Sequence, residues 1–175
     1  WGDVDGDGDL DLACGNRHPY YQEPIGKPNR VYLNVDGMLE KTASWSSVEW
    51  GSTRSVAWGD VDGDGDLDLA VGNDGDMNKV YLNQDGVLLT PAVWSDGVKD
   101  STRSVAWGDV DGDGDFDLAI GNSGFPDRQE NKIYLNQGGT LQTPAAWFSG
   151  DADSTDSVAW GDVDGDGDLD LAAGN

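Results

Sequence analysis

The sequence predicts an all-β protein built from β-propeller blades, each a sheet of four antiparallel strands. One observation is an internal repeat with a period near 50 residues, which is typical of a four-stranded blade. Another is that Val, Leu, Tyr and Trp recur in short runs bounded by Gly, Asn and Asp, as they do in strands. No run of ten or more residues has the helical spacing of apolar side chains, so we expect no helix.

Two anchor motifs define the repeat, and all the length variation lies between the first and the second. The first, Trp-Gly-Asp-Val-Asp-Gly-Asp-Gly-Asp, begins at Trp1, Trp58, Trp107 and Trp160. The second, Asn-Lys/Arg-Val/Ile-Tyr-Leu-Asn, begins at Asn29, Asn78 and Asn131. The repeats are therefore 1–57, 58–106, 107–159 and 160–175, which makes three full blades and the first half of a fourth. A closed propeller has about four to eight blades, so we expect further blades of a larger propeller or a second copy of the chain.

Within the second repeat, strands are predicted at 55–59, 67–71, 79–82 and 87–94. An Asp-Gly turn at Asp85 and Gly86 precedes the last strand. One Trp ends the first strand of each repeat and another ends the fourth. Because this placement is regular, we expect these rings to pack between neighbouring sheets.

The formal charge of −24 is concentrated in the first anchor. The anchor and the residues directly after it contain 20 of the 34 acidic residues, and the rest of the chain has 14 acids against 10 bases. Eight Trp, five Tyr and three Phe are too many for a disordered acidic tail. An acidic surface without a basic patch predicts no nucleic-acid binding. The lack of a basic amphipathic face and of a long apolar run predicts no membrane insertion.

The acidic loop of each repeat is the candidate metal-binding site. Five carboxylates within nine residues repel one another, so a bound cation would be needed to order the loop. Ca²⁺ takes six to eight oxygen ligands in a flexible shell, and the two glycines of the loop permit the tight turn that such a shell requires. We therefore predict four Ca²⁺ ions, one per loop. Mg²⁺ is the lesser candidate because it keeps its waters, and the loops lack the His or Cys that zinc prefers.

The predicted ligands occupy alternate positions of each loop. In the second loop, Asp60, Asp62 and Asp64 are expected to ligate through side chains, Asp66 through its backbone carbonyl and Asp68 through its carboxylate. The equivalent sets are Asp3, Asp5, Asp7, Asp9 and Asp11; Asp109, Asp111, Asp113, Asp115 and Asp117; and Asp162, Asp164, Asp166, Asp168 and Asp170. An EF-hand is excluded because the twelfth position, which must be acidic there, holds Cys14, Val71, Ile120 and Ala173.

The stretch 55–73, SVAWGDVDGDGDLDLAVGN, resembles the FG-GAP or VCBS repeat of integrin-α-like, calcium-binding β-propellers. The resemblance covers essentially the whole chain and rests on the D-x-D-G-D-G-x-x-D core. It implies that the loop joins the first two strands of a blade, on the face opposite the ligand-binding loops, and that the metal ligands are the Asp residues already named. Thr53-Arg54 replaces the Phe-Gly pair and Gly72-Asn73-Asp74 replaces the Gly-Ala-Pro ending, which favours a bacterial-type member.

The function expected from these features is a Ca²⁺-stabilised adhesion, scaffold or structural module, extracellular or at the cell surface. The length-variable loops 17–28, 74–77 and 123–130 would share one face, where a protein or glycan partner could bind. A lectin is the alternative, with His18, Tyr20, Tyr21, Phe125 and Arg128 as candidate contacts. We expect no enzyme, because no nucleophile–base pair and no acid–base carboxylates stand outside the metal loops.

Overall fold

The computed structural model describes residues 1–17, 27–123 and 129–175, and every regular element in these ranges is a β-strand. All the strand pairs are antiparallel and assort into four main sheets, one per repeat, with small two-stranded ribbons beside them. The predicted all-β architecture of propeller-type blades is therefore confirmed.

The first sheet contains three strands in the order β1-β2-β5. Next to them, Gly2 pairs with Asp11 through an isolated bridge, which takes the place of a first strand. The predicted full first blade is thus a three-stranded sheet with one added bridge. Its strands and its ribbon are β1 (Leu12–Cys14), β2 (Arg30–Tyr32), β3 (Asn34–Val35), β4 (Met38–Leu39) and β5 (Trp45–Ser46).

The second and third sheets are complete four-stranded meanders, in the orders β6-β7-β8-β11 and β12-β13-β14-β15. The second sheet and its ribbon comprise β6 (Thr53–Gly59), β7 (Asp68–Asn73), β8 (Lys79–Tyr81), β9 (Asn83–Gln84), β10 (Val87–Leu88) and β11 (Trp94–Ser95). The third comprises β12 (Thr102–Gly108), β13 (Asp117–Asn122), β14 (Lys132–Tyr134) and β15 (Trp147–Phe148).

The fourth sheet pairs β16 (Ser157–Gly161) with β17 (Asp170–Gly174). It corresponds to the predicted first half of a blade. The repeat boundaries drawn before Trp58, Trp107 and Trp160 fall inside β6, β12 and β16, so each sheet begins a few residues before its repeat.

The predicted strand 87–94 is wrong as a single element. Val87 and Leu88 pair with β9 to form a separate ribbon, and only Trp94 and Ser95 join the blade. The ribbon turns at Asp85 and Gly86, both at positive φ (50° and 85°), as a tight hairpin requires. Pro91 lies between ribbon and blade and has no N–H to donate to a ladder, so the strand is interrupted there.

Aromatic residues pack the sheets against one another, as the sequence predicts. Trp45 at the end of the first sheet meets Tyr81 of the second edge-on, with ring centroids 5.1 Å apart. Trp94 meets Tyr134 of the third sheet in the same way at 5.2 Å. Trp50, outside the repeat pattern, is half exposed. The first and second sheets, and the second and third, therefore pack through equivalent Trp–Tyr pairs. The prediction is wrong for Trp147 and Trp1, which are 44% and 66% exposed, because among the described residues no further sheet covers either of them.

A buried Thr–Asn network joins the sheets near the start of their first strands. The hydroxyl of Thr102 accepts a hydrogen bond from Asn78 Nδ2 of the preceding sheet (2.9 Å) and donates one to Asn122 Oδ1 of its own sheet (2.8 Å). The network recurs one sheet later, where Asn131 Nδ2 donates to Thr155 at 2.9 Å. Because these polar groups are buried and paired, the network fixes the spacing of neighbouring sheets.

Candidate metal sites

Each acidic loop connects the first two strands of its sheet. In the second sheet, Gly59 and Asp68 are the last Cα pair of the β6–β7 ladder, and the loop lies between them. Gly63 and Gly65 have φ of 74° and 99°, values that side chains rarely tolerate. The two glycines thus wind the loop back on itself, so that its carboxylates and amides face a common centre.

The first aspartate of the loop anchors this turn. Asp60 Oδ1 accepts a hydrogen bond from Gly63 N at 2.8 Å, and its Oδ2 accepts one from Gly65 N at 3.0 Å. The third and fourth loops repeat both bonds through Asp109 and Asp162. The loop is therefore pre-shaped by its own carboxylate.

The ninth residue closes the loop. Asp68 is 1% exposed, its Oδ2 accepts from Val61 N at 2.7 Å, and its Oδ1 accepts from Asn83 N at 2.8 Å. Burial raises the pKa of this carboxyl to about 6, and repulsion from Asp62 and Asp64 adds to the effect, although the two backbone hydrogen bonds lower it. The carboxylate is held in place at an energetic cost that a nearby cation would offset.

In every loop the first, third and ninth residues come together. One ligand oxygen from each of the three lies within 4.8 Å of the others. The four clusters are Asp3, Asp5 and Asp11; Asp60, Asp62 and Asp68; Asp109, Asp111 and Asp117; and Asp162, Asp164 and Asp170. The pKa values of Asp5, Asp62 and Asp117 are also raised, first by burial and then by repulsion from neighbouring loop carboxylates.

The fifth and seventh residues of the loop make other contacts. Asp64 Oδ1 accepts from Asp66 N at 2.9 Å, and Asp66 Oδ2 accepts from Asp85 N at 2.8 Å, in the turn of the β9–β10 ribbon. The side chains of these two residues, and of their equivalents Asp7, Asp9, Asp113, Asp115, Asp166 and Asp168, lie outside the three-carboxylate clusters. Their predicted ligation, through a side chain at the fifth position and a carbonyl at the seventh, stays a prediction.

The donor set fits a hard divalent cation. Each cluster offers only carboxylate oxygens, without His or Cys, which suits calcium and does not suit zinc. In the first loop, Asp3 Oδ1 is buried without a hydrogen-bond partner among the described residues. A buried carboxylate oxygen lacking a partner is costly, and a cation bound there would satisfy it.

Family models match nearly the whole chain. An FG-GAP-like repeat model matches residues 3–71, 60–120 and 121–173. An FG-GAP repeat model matches residues 101–140. The chain belongs to the FG-GAP repeat family. A search of the curated proteins finds no match.

The FG-GAP repeats of this chain contain one functional residue type that the sequence prediction missed. Asn83, the last residue of the second anchor, donates its N–H to Asp68 and its Nδ2 to the carbonyl of Val4, in the acidic loop of the preceding sheet (2.8 Å each). Asn136 makes the equivalent bonds to Asp117 (2.8 Å) and to Val61 (2.7 Å). The recurrence of this Asn in the second anchor is the signal that could have identified it.

Of the length-variable loops, only 74–77 lies wholly within the described ranges, and it follows β7 at the end opposite the acidic loop. The candidate glycan contacts His18, Tyr20, Tyr21, Phe125 and Arg128 lie outside the described residues. In the described part of the chain, no helix is long and apolar enough to span a bilayer.

Proposed function

We propose that this chain is a calcium-binding β-propeller module that serves extracellular adhesion, scaffolding or structural assembly. The observation that supports it is the fourfold recurrence of a three-carboxylate cluster on one loop design. Membership of the FG-GAP family supports the propeller architecture and the setting outside the cell. The role is non-catalytic: the acidic side chains that the repeats have in common belong to loops that connect strands, and partners would bind the opposite face.

Ion binding would act on stability. Extracellular calcium modules bind with dissociation constants of about 10⁻⁴ to 10⁻³ M. At millimolar calcium and the tighter limit, one site would add about 1.4 kcal/mol to the free energy of unfolding. Four sites would add a large share of a typical domain stability of about 5–15 kcal/mol. Asp60, Asp62 and Asp68 would hold the ion in the second loop, with the same positions acting in the others.

The test compares the melting temperature of the chain in calcium, in magnesium and in chelator. We expect a rise of many degrees with calcium and a smaller one with magnesium, and isothermal titration calorimetry should count about four sites. An equal melting temperature in calcium and in chelator contradicts the proposal.

The Asp62→Asn variant sharpens the test, because among the described residues Asp62 accepts a single weak hydrogen bond, from Asp64 N at 3.3 Å. In chelator the variant should melt at or above the wild-type temperature, since it removes one repelling charge. In calcium it should melt below the wild type, since it loses a ligand. Asp151→Asn, at an exposed position outside the loops, is the matched control. It should have the wild-type melting temperature both in calcium and in chelator.

A further inference from the structure

A cationic pocket lies at the end of the sheets opposite the acidic loops. It has a volume of about 340 Å³ and is lined by Arg17, Thr53, Arg54, Arg103 and Asp156. These residues come from all four sheets, because Thr53, Arg103 and Asp156 stand at or next to the start of first strands, and Arg17 follows β1. We call it the arginine pocket.

The charge of the arginine pocket is opposite to that of the molecule. Three of the chain's ten basic residues line it, against one acidic residue, in a protein with a net charge of −24. Chance placement of so few bases would scatter them over the surface. Arg54 and Arg103 each bond a carboxylate, so the positive charge in excess at the pocket is that of Arg17.

The arginines come from two repeat positions with different partners. Arg54 stands on β6 and bonds Asp74, which follows β7 of the same sheet, at 2.6 Å. Arg17 takes the position of Asp74 in the first sheet, and it lines the pocket together with Arg54 of the second sheet. Among the described residues, no carboxylate pairs with Arg17.

Arg103 shows how a carboxylate sits in the pocket. Its Nη1 bonds the carboxylate of Asp156 at 2.7 Å, across to the next sheet, and the Asp156 side chain is 68% exposed. Asp156 occupies the place that Arg54 and Arg103 take in their own sheets. An exposed ion pair of this kind is worth little and is readily exchanged for another carboxylate.

The existing ion pairs leave donor capacity in the pocket. Arg54 directs both its Nε and its Nη2 to a single oxygen of Asp74, at 3.0 and 2.6 Å. The Nε of Arg103 is buried without a hydrogen-bond partner in the described ranges, so the Arg103 donors within reach of a ligand are its terminal N–H groups, which now bond Asp156 and, at 3.4 Å, the Ser123 hydroxyl. A guanidinium has five N–H donors in a planar fork that matches a carboxylate, so the pocket has more donors than its own acids satisfy.

We infer that the arginine pocket binds a small carboxylate-bearing ligand, either an acidic sugar or an acidic amino-acid side chain. Arg17 and Arg54 donate hydrogen bonds to the ligand carboxylate, and Arg103 also donates to it once the ligand has displaced Asp156. The pocket and the acidic loops lie at opposite ends of the seven-residue strand β6, about 20 Å apart. Ligand binding here therefore does not depend on ions in the loops beyond their effect on folding.

The experiment titrates the calcium-loaded chain with four probes by isothermal titration calorimetry. Glucuronate and N-acetylaspartate amide carry the carboxylate, and glucose and N-acetylasparagine amide are their neutral counterparts. We expect saturable binding of one or both acids and none of the neutral compounds. Binding of the sugar acid alone, or of the amino acid alone, identifies the source. No binding of either acid, or equal binding of acid and neutral forms, overturns the inference.

Variants locate the site. Arg17→Gln should weaken acid binding at least tenfold, and Asp156→Asn should strengthen it, because it removes the internal competitor. Arg30→Gln, at an exposed position on β2 away from the pocket, should leave affinity within twofold. Equal affinity of Arg17→Gln and wild type overturns the inference. So does a loss of binding in Asp62→Asn with Arg17→Gln unaffected, because the ligand would then be held at the metal loops. Equal melting temperatures in calcium show that each variant is folded.

Discussion

Single residues distinguish otherwise similar repeats, and one buried carboxylate is the clearest case. Asp96 is 8% exposed and accepts hydrogen bonds from Asn78 N at 3.1 Å and from Asn78 Nδ2 at 2.7 Å. The first and third sheets have Ser47 and Ser149 at this position, and each hydroxyl accepts the corresponding backbone N–H. Burial, with repulsion from Asp100 as a smaller contribution, raises the pKa of Asp96 to about 6 although its hydrogen bonds lower it.

The raised pKa makes stability depend on pH at this residue. Protonated Asp96 is favoured in the folded state, so its stabilising contribution is complete below about pH 4 and is lost as pH rises through about 6. As pH rises from 4.5 to 7.5, we expect the unfolding free energy of Asp96→Ser to increase by about 2 kcal/mol relative to that of the wild type. Denaturant unfolding at fixed calcium over this range measures it.

The control for this prediction is Asp151→Asn, a substitution at an exposed position outside the Asn78 network, measured over the same pH range. If the difference in unfolding free energy between Asp96→Ser and wild type stays constant with pH, Asp96 titrates as an ordinary surface acid and the prediction is wrong.

At the level of strands and sheets, close contact depends on glycine at the end of each first strand. A Cβ added at Gly59 would lie 2.6 Å from Trp107 Cδ1, and one at Gly108 would lie 2.6 Å from Trp160 Cδ1. The indole N–H groups of the same two Trp residues donate to Ala57 and Ala106 carbonyls at 3.3 and 3.2 Å. Each Trp therefore lies flat on the glycine of the preceding sheet.

Gly59→Ala is expected to lower the unfolding free energy by about 1–3 kcal/mol, because the indole of Trp107 must move away from the new methyl group. Gly161→Ala is the matched control, since a Cβ at Gly161 meets nothing within 4 Å. It should stay within about 0.5 kcal/mol of wild type. Equal losses in the two variants would show that the cost comes from the backbone and not from the indole contact.

Features that depend on residues close together in the sequence could be predicted from it. Contacts between residues far apart in the sequence could not. The Trp positions and the loop glycines, with their strict spacing, indicated the sheet contacts and the acidic turns. The meeting of Asp60, Asp62 and Asp68 could be anticipated from the alternation of carboxylates. The bond from Asn83 to Val4 could not, because its partners are 79 residues apart along the chain. The late start of the fourth strand, at Trp94, depends on the ribbon and Pro91, which local apolar patterning does not reveal.

Across the whole molecule, the sheets differ in how far their strands are buried from solvent. Every residue of β7 and β13 is buried, because a strand flanks each of them on both sides and another sheet covers them. Strand β17 has no buried residue, and among the described strands it pairs only with β16. The acidic cluster of the fourth loop is accordingly exposed at all three positions, whereas the ninth residue is buried in the other loops.

Hydrogen exchange read by mass spectrometry should follow this gradient. Peptides that cover β7 and β13 are expected to exchange slowest, with protection factors near the global unfolding limit, and peptides that cover β17 should exchange orders of magnitude faster. The comparison within one sample is its own control. Uniform protection over the three strands would contradict the gradient, and would point to a partner covering β17.

The asparagine hydrogen bond between sheets also connects the first acidic loop to the second, and the second to the third, through a continuous chain of hydrogen bonds. Val61 N donates to Asp68, the Val61 carbonyl accepts from Asn136 Nδ2, and Asn136 N donates to Asp117 of the next loop. Opening one loop would remove an acceptor from the residue that clamps the following one. The first three loops are thus coupled to their nearest neighbours along a line, through Asn83 and Asn136, so that ordering one loop favours ordering the next.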